Sequence, residues 1–422
     1  MKFSKKTLKN GLRIITVPMK DNPTVTVMVL VEAGSKYETK KINGLSHFLE
    51  HMIFKGTPRR RTPAHIAHEL DGLGAESNAF TGHEYTGFYA KADEKHFEKI
   101  LDIISDIYLH STFPDKEIEK EKGVIIEEIN MIEDRPDHKV HDIFRGLLYG
   151  DQPAGWDIIG RKDVIRRMKR KDFLAYRKAH YVPAATAIVV AGRISENEVK
   201  KEVSRIFGKI KKSPKRGKKK VIENQKSPAA LIKYKKTDQT HLVLGFRAFS
   251  LFDKRSPTLT VLSALLAGGM SSRLFQKLRE EMGVCYYVYG MPDLSTDHGF
   301  FSISAGVNNK RVKEVIKVIL EECNRLKKGL VSEEELKKVK EYIIGNSKLH
   351  LESSDSLASF YAHQEILRHQ IEMPENKWKK IRAVKAKDIL KLSGEIFQND
   401  TLNLSLVGPF KDNRPIEKIL KL

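Results

Sequence analysis

The chain repeats itself once, and this repetition narrows the folds open to it more than any other feature. The run "TVTVMVLVEAGS" at 24–35 is answered by "THLVLGFRAFS" at 240–250. Likewise "FPDKEIEKEKGVIIEE" at 113–128 is answered by "VSEEELKKVKEYIIGN" at 331–346. The offset is about 215–218 residues throughout, far beyond the ~20–50 of a solenoid repeat, so the duplicated unit is a domain. A length of 422 residues with 40% hydrophobic content supplies two separate cores. The reading is therefore two homologous domains, 1–210 and 229–422, joined by a connector at 211–228.

Within the first copy, Asn10-Gly11 is a hairpin turn ahead of "LRIITVP", and β-branched runs at 24–31 and 186–192 read as strands. The segment "ESNAFTGHEYTGFYAKA" alternates in polarity and is rich in Thr, Tyr and Phe, which predicts a strand hairpin. Apolar spacing predicts helices over 44–55, 94–110, 115–133, 138–149 and 171–178. The expected class is α+β, each domain a mainly antiparallel sheet with helices packed on one face.

Lysine and arginine number 76 against 54 acidic residues, a net charge of +22. Eight of these cations fall in "KIKKSPKRGKKK" at 209–220, which reads as a solvated basic connector. That connector and lysine-rich helix faces account for the excess better than a nucleic-acid surface does, and no nucleic-acid partner is expected. Cys285 and Cys323 are the only cysteines, which excludes a disulfide framework and a multi-cysteine metal site and fits a reducing compartment. The N-terminus lacks the apolar core and small-residue site of a secretory leader, and "LTVLSALLAGGM" is too short to cross a bilayer. A cytoplasmic protein without a membrane partner is the expectation.

The chemistry concentrates in "GLSHFLEHMIFKGT" at 44–57. On a helix, positions i, i+3 and i+4 share a face, so His47, Glu50 and His51 converge while Leu45, Phe48, Leu49 and Met52 supply packing. Two neutral imidazoles one turn apart suit Zn²⁺, which in catalytic sites takes three protein ligands and leaves a fourth position to water. The third ligand must come from elsewhere. The helix over 115–133 is the best supplier, because Ile118, Ile125, Ile129 and Ile132 form its buried stripe while Glu121 and Glu128 lie two turns apart on a common face; Glu128 is the favoured ligand. Glu50 then sits beside the metal without being required to bind it, where a general base takes a proton from water. The second copy has Asn346 where the first has Glu128, and it lacks a His-x-x-Glu-His run. Both copies need the packing, but only one carries the polar cluster.

These residues resemble the inverzincins, the superfamily of pitrilysin, insulin-degrading enzyme and mitochondrial processing peptidase. The resemblance covers essentially the whole chain: His-x-x-Glu-His is followed by 76 residues and then Glu128. It implies that His47, His51 and Glu128 bind one zinc ion per chain and that Glu50 is the base. Glu121, seven residues before the ligand, would orient or polarise the metal's ligands. Glu127 rivals Glu128 by type, yet it points about 100° away from the face shared with Glu121. The run "GGMSSRLFQKLREEMGVCYYVYG" is similar to the family's Arg-x6-Tyr element, implying that Arg279 and Tyr286 stabilise the oxyanion and hold substrate backbone, with Tyr287 and Tyr289 as neighbours of the assigned tyrosine. "SNAFTG" resembles the edge strand that pairs with an extended substrate, which brings in Asn78, Ala79 and Phe80.

The implied activity is zinc-dependent endopeptidase cleavage of short or unfolded peptides inside a closed chamber. That chamber takes four such domains, so a homodimer is implied, each site borrowing Arg279 and Tyr286 from the partner. Two other classes compete. A non-catalytic scaffold subunit would share the fold, but the intact ligands and base argue against it. A basic nucleic-acid-binding protein is disfavoured by the lack of a zinc-knuckle, RNA-recognition or helix-turn-helix signature.

Overall fold

A computed structural model describes residues 2–422. They form two compact units, neither continuous in sequence. The first comprises the stretch up to Ile129, then Asp157–Lys219 and Lys348–Met373; the second comprises Asn130–Trp156, Lys220–Ser347 and Pro374–Leu422.

The first unit is built on six strands: β1 (Ser4–Thr7), β2 (Arg13–Pro18), β3 (Thr24–Val31), β4 (Glu76–Thr81), β5 (Thr86–Asp93) and β6 (Thr186–Gly192). Their order is β1-β2-β6-β3-β5-β4, so β4 is an edge. All pairings are antiparallel except that of β2 with β6. The predicted turn closes β1 on β2, with Gly11 at φ +94 and its amide bonded to the Leu8 carbonyl at 2.9 Å. The second unit has β7 (Ala229–Tyr234), β8 (Gln239–Ala248), β9 (Cys285–Leu294), β10 (Gly299–Asn308) and β11 (Leu402–Gly408), in the order β7-β11-β8-β10-β9. Strand for strand this repeats β2-β6-β3-β5-β4, including the one parallel pair, β7 with β11. The duplication read from the sequence is thus a duplication of sheet topology.

The α+β class stands, but the helices are not confined to one face of each sheet. In the first unit, Tyr108 of the helix Phe97–His110 meets Phe88 of β5, with ring centroids 6.5 Å apart. The opposite face is covered by the helix Ser354–Arg368, whose Ser354 hydroxyl bonds those of Thr24 and Thr26 at 3.0 and 2.8 Å. Further along this helix, fully buried Glu365 pairs with Lys5 at 2.7 Å and Arg13 at 3.2 Å.

In the second unit, Phe301, Ile303, Ala305 and Val307 face one apolar core, whereas Val243, Phe300 and Val407 face Val140, Phe144 and Leu148 of the helix Pro136–Tyr149. Each sheet therefore takes one covering helix from the other half of the sequence. The physical reason lies in the strands: β6 and β11 are buried at every residue and β3 at all but its first, so both faces are apolar and both need cover. This exchange is also why the compact units depart from the division at 1–210, 211–228 and 229–422.

The basic connector is largely exposed, as a solvated segment should be, but two of its lysines are tied to the first unit. It forms no helix or strand over 211–226, yet Lys215 Nζ lies 2.7 Å from Glu32 and Lys218 Nζ lies 3.1 Å from Glu84. Glu84 also holds the buried Lys36 at 3.0 Å, so the connector's cations complete a partly buried ion network on the first unit. Among the described residues, no helix is long and apolar enough to cross a membrane.

Candidate metal centre

The predicted histidine helix runs from Leu45 to Ile53. Its entry is fixed by Gly44 at φ +95, where a Cβ would stand 2.6 Å from the Ile159 carbonyl oxygen. Gly44 offers no side chain to cap the helix, and Glu38 does so from outside it. The Glu38 carboxylate accepts from the amides of Gly44 (2.8 Å) and Ser46 (2.6 Å) and from the Asn43 side chain (3.2 Å). Burial pushes its carboxyl up to about 7, against the pull of those hydrogen bonds. Leu45, Phe48, Leu49 and Met52 are wholly buried, Phe48 edge-on to Phe173 at 4.8 Å. The helix is therefore pinned on one side, and His47, Glu50 and His51 occupy the other.

The second contributor is the helix Asp115–Asp134, held down by Ile118, Ile125 and Ile129. It brings Glu128 between the two imidazoles: His47 Nε2 to Glu128 Oε1 and His51 Nε2 to Glu128 Oε2 are both 3.6 Å. One ligand atom from each residue lies within 4.8 Å of the others, and no other group of three among the described residues does this. Glu127 is exposed and stands outside the cluster.

The donor set fits a zinc ion. Tetrahedral coordination at ~2.0–2.1 Å separates ligand atoms by roughly 3.4 Å, close to the 3.6 Å spacings here. His47 gives a second indication: burial, then the neighbouring His51, drive its pKa down to about 3, so the ring is neutral and fit to ligate. Its Nδ1 is buried without a hydrogen-bond partner, so hydrogen bonding does not account for its burial and Nε2 is the atom with a use.

His51 is oriented differently. Its Nδ1 lies 2.9 Å from Oε1 of Glu121, a side chain only 5% exposed, and Lys55 Nζ holds Oε2 at 2.7 Å. Burial alone would raise the Glu121 carboxyl, but hydrogen bonds from His51 and Lys55 outweigh it and leave the pKa below its ordinary value. An ionised Glu121 keeps the proton on His51 Nδ1 and turns the Nε2 lone pair toward Glu128.

Glu50 lies on the same face and makes no ion pair with either histidine. Its Oε2 accepts from the Thr81 hydroxyl at 2.5 Å, at the end of β4. Burial raises its pKa, opposed by Thr81 and His51, which moves the carboxylate toward the range useful to a general base. Burial likewise raises Glu128, with His51 opposing. Thr81, Lys55 and Glu38 were missed in the sequence, although Lys55 stands one turn beyond His51 and Thr81 falls inside the quoted hairpin.

Asn78, Ala79 and Phe80 lie on β4, the edge strand. The Ala79 amide is taken by the Asn78 side chain at 2.8 Å and not by a neighbouring strand. Arg279 and Tyr286 belong to the second unit and are brought to each other. Arg279 Nη1 donates to the Tyr286 carbonyl at 2.7 Å, and its guanidinium lies 5.4 Å from the Tyr286 ring. Tyr286 is 71% exposed, whereas the hydroxyls of Tyr287 and Tyr289 are 2.9 Å from His241 and His141 respectively.

A fold of two equivalent α+β units, one bearing a His-x-x-Glu-His helix closed by a glutamate from a second helix, defines a zinc-metalloprotease type of protein. The family model described as "Insulinase (Peptidase family M16)" matches residues 13–161, and "Peptidase M16 inactive domain" matches 167–343. The chain belongs to peptidase family M16. It is 35% identical over 407 residues to "Uncharacterized zinc protease YmxG" of Bacillus subtilis, covering 96% of this chain and 97% of that one. Its fold is that of a protease from Helicobacter pylori (TM-score 0.90, 23% identity, 97% and 99% coverage). It is equally that of a chain in complex III2 from Candida albicans (TM-score 0.86, 17% identity, 99% and 100% coverage), so the fold alone does not assign an activity.

Proposed function

We propose that the protein is a zinc-dependent endopeptidase that cleaves internal bonds of short or unfolded peptides, with His47, His51 and Glu128 as metal ligands and Glu50 as general base. The observation that carries this reading is the convergence of Glu128 on both Nε2 atoms, with Glu50 on the same helix face and Glu121 fixing the His51 tautomer. A bound zinc ion would polarise the scissile carbonyl and acidify a water molecule. Glu50 receives the proton from the attacking water and delivers it to the departing amine. Thr81 holds the Glu50 carboxylate in place and limits its rotation. The edge of β4 offers backbone groups at Asn78–Phe80 to an extended peptide, the Asn78 side chain giving up the Ala79 amide as the peptide pairs, a recognition that reads main chain rather than sequence.

Arg279 and Tyr286, held together on the second unit, are donors suited to the tetrahedral oxyanion; in a homodimer enclosing a chamber they would come from the partner. Sedimentation tests this: a fully active monomer would refute it. A cytoplasmic location accords with two unpaired cysteines. The decisive variant is Glu50→Gln, which is expected to retain zinc while losing at least ~100-fold in kcat. A Glu50→Gln protein with wild-type turnover, or a wild type that binds zinc and cleaves no peptide, would remove the reading and favour a non-catalytic scaffold.

A further inference from the structure

The face of the first sheet away from Glu50 carries a second feature beside β4. Along β3, β5 and β4 the residues Met28, Tyr89 and Asn78 are in register and share one face of the sheet. It is the face covered by the helix Ser354–Arg368, because Thr24 and Thr26 reach Ser354 from it. Phe80 points the same way. Its ring lies over Gly87, where a Cβ would come within 2.3 Å of it, and stacks on His363 of that helix at 5.9 Å and 19°. Between helix and strand edge lies a cleft of about 410 Å³ with an apolar wall of Met28, Phe80, Tyr89, Leu351 and Phe360. That is the scale of clefts that accept small ligand groups, ~300–1,000 Å³. The one carboxylate in the wall, Asp355, is neutralised by Lys91 at 2.7 Å, which leaves little to attract a cation.

Strand alternation joins this cleft to the metal centre. Thr81, next in sequence to Phe80, points to the opposite face and meets Glu50. A peptide pairing with β4 would alternate in the same way, one residue toward the metal face and the next over the cleft. We propose that this cleft takes a bulky apolar, preferably aromatic, side chain of the peptide and so sets sequence preference at positions of one parity. The inference rests on the peptidase reading above.

The test uses the full-length protein and a peptide series of alanines in which a single phenylalanine is moved one position at a time, read as kcat/KM beside zinc content. The wild type is expected to favour phenylalanine over alanine about tenfold at one position, with any second preference two residues away. Ser356→Trp, which fills the cleft, is expected to bring that ratio near one and leave the ratios at intervening positions unchanged. Phe360→Ala, which removes a wall, is expected to lower the same ratio and serves if the tryptophan variant does not fold. A flat wild-type profile, or a ratio indifferent to both variants, overturns the subsite while the peptidase reading survives. Zinc bound without cleavage of any peptide overturns both.

Discussion

Replacing Glu121 with glutamine tests whether the tautomer of His51, and with it the metal affinity, is set by a residue that is not itself a ligand. The carboxylate has two donors to satisfy, His51 Nδ1 at 2.9 Å and Lys55 Nζ at 2.7 Å. Glutamine has one acceptor oxygen. If that oxygen turns to Lys55, the amide NH₂ faces His51 Nδ1 and favours the proton on Nε2, the atom that must ligate; if it turns to His51, Lys55 faces the NH₂ instead. The exchange costs one charge-assisted hydrogen bond, about 1.5–3 kcal/mol, with little discount for solvent because Glu121 is 5% exposed. At ~1.4 kcal/mol per tenfold this is roughly 10–100-fold in zinc affinity, the range usual for outer partners of metal ligands. Competition titration against a chromophoric chelator, with circular dichroism to confirm folding, reads the effect. Lys55→Ala serves as the control, since it leaves the His51 hydrogen bond alone and should change affinity less than ~3-fold. A folded Glu121→Gln protein that binds zinc as tightly as wild type would refute the reasoning.

Glu38 should make stability fall as pH rises. Its carboxyl is raised to about 7 in the fold, so the folded state holds the proton more tightly and stability is lost between the unfolded value of ~4.5 and 7, by up to about 3 kcal/mol. Thermal melts of Glu38→Gln and wild type should therefore shift in the variant's favour between pH 5 and 7.5; a constant difference contradicts the assignment. Gly44→Ala places a Cβ 2.6 Å from the Ile159 oxygen at a φ of +95, and should cost at least ~1–2 kcal/mol in chemical denaturation and weaken zinc binding with it. Removing Glu365 strands the buried Arg13 guanidinium, so Glu365→Ala should lower urea stability by about 3–5 kcal/mol, whereas Lys5→Ala, on a partly exposed partner, should cost under ~1 kcal/mol. Equal effects from the two would deny the pair its part in docking the helix Ser354–Arg368.

The sequence disclosed the His-His-Glu cluster better than the architecture around it. His47 and His51 were legible because helix periodicity is local, Glu128 through the 76-residue spacing of the family resemblance, and the missing counterpart in the second copy, Asn346, separated chemistry from packing. The duplicated strands were legible from their β-branched runs. The exchange of the helices Pro136–Tyr149 and Ser354–Arg368 was not, since an amphipathic helix shows that it has a partner without saying which sheet supplies it. The buried acids escaped for a similar reason. Glu38 and Glu365 look like surface residues in a lysine-rich chain, and only the fold shows one capping the histidine helix and the other meeting Arg13. The exposed character of the connector at 211–228 was legible in its composition, whereas its two anchors were not, because Glu32 and Glu84, which hold Lys215 and Lys218, lie far away in sequence.

The central claim is that His47, His51 and Glu128 grip one zinc ion. Metal analysis of the reconstituted, desalted chain tests it most directly, run on wild type beside Glu128→Gln. The account expects about one zinc per wild-type chain, removed by chelator, and a small fraction of that in the variant. A wild type that cannot take up zinc, or a variant that keeps the full complement, would contradict it.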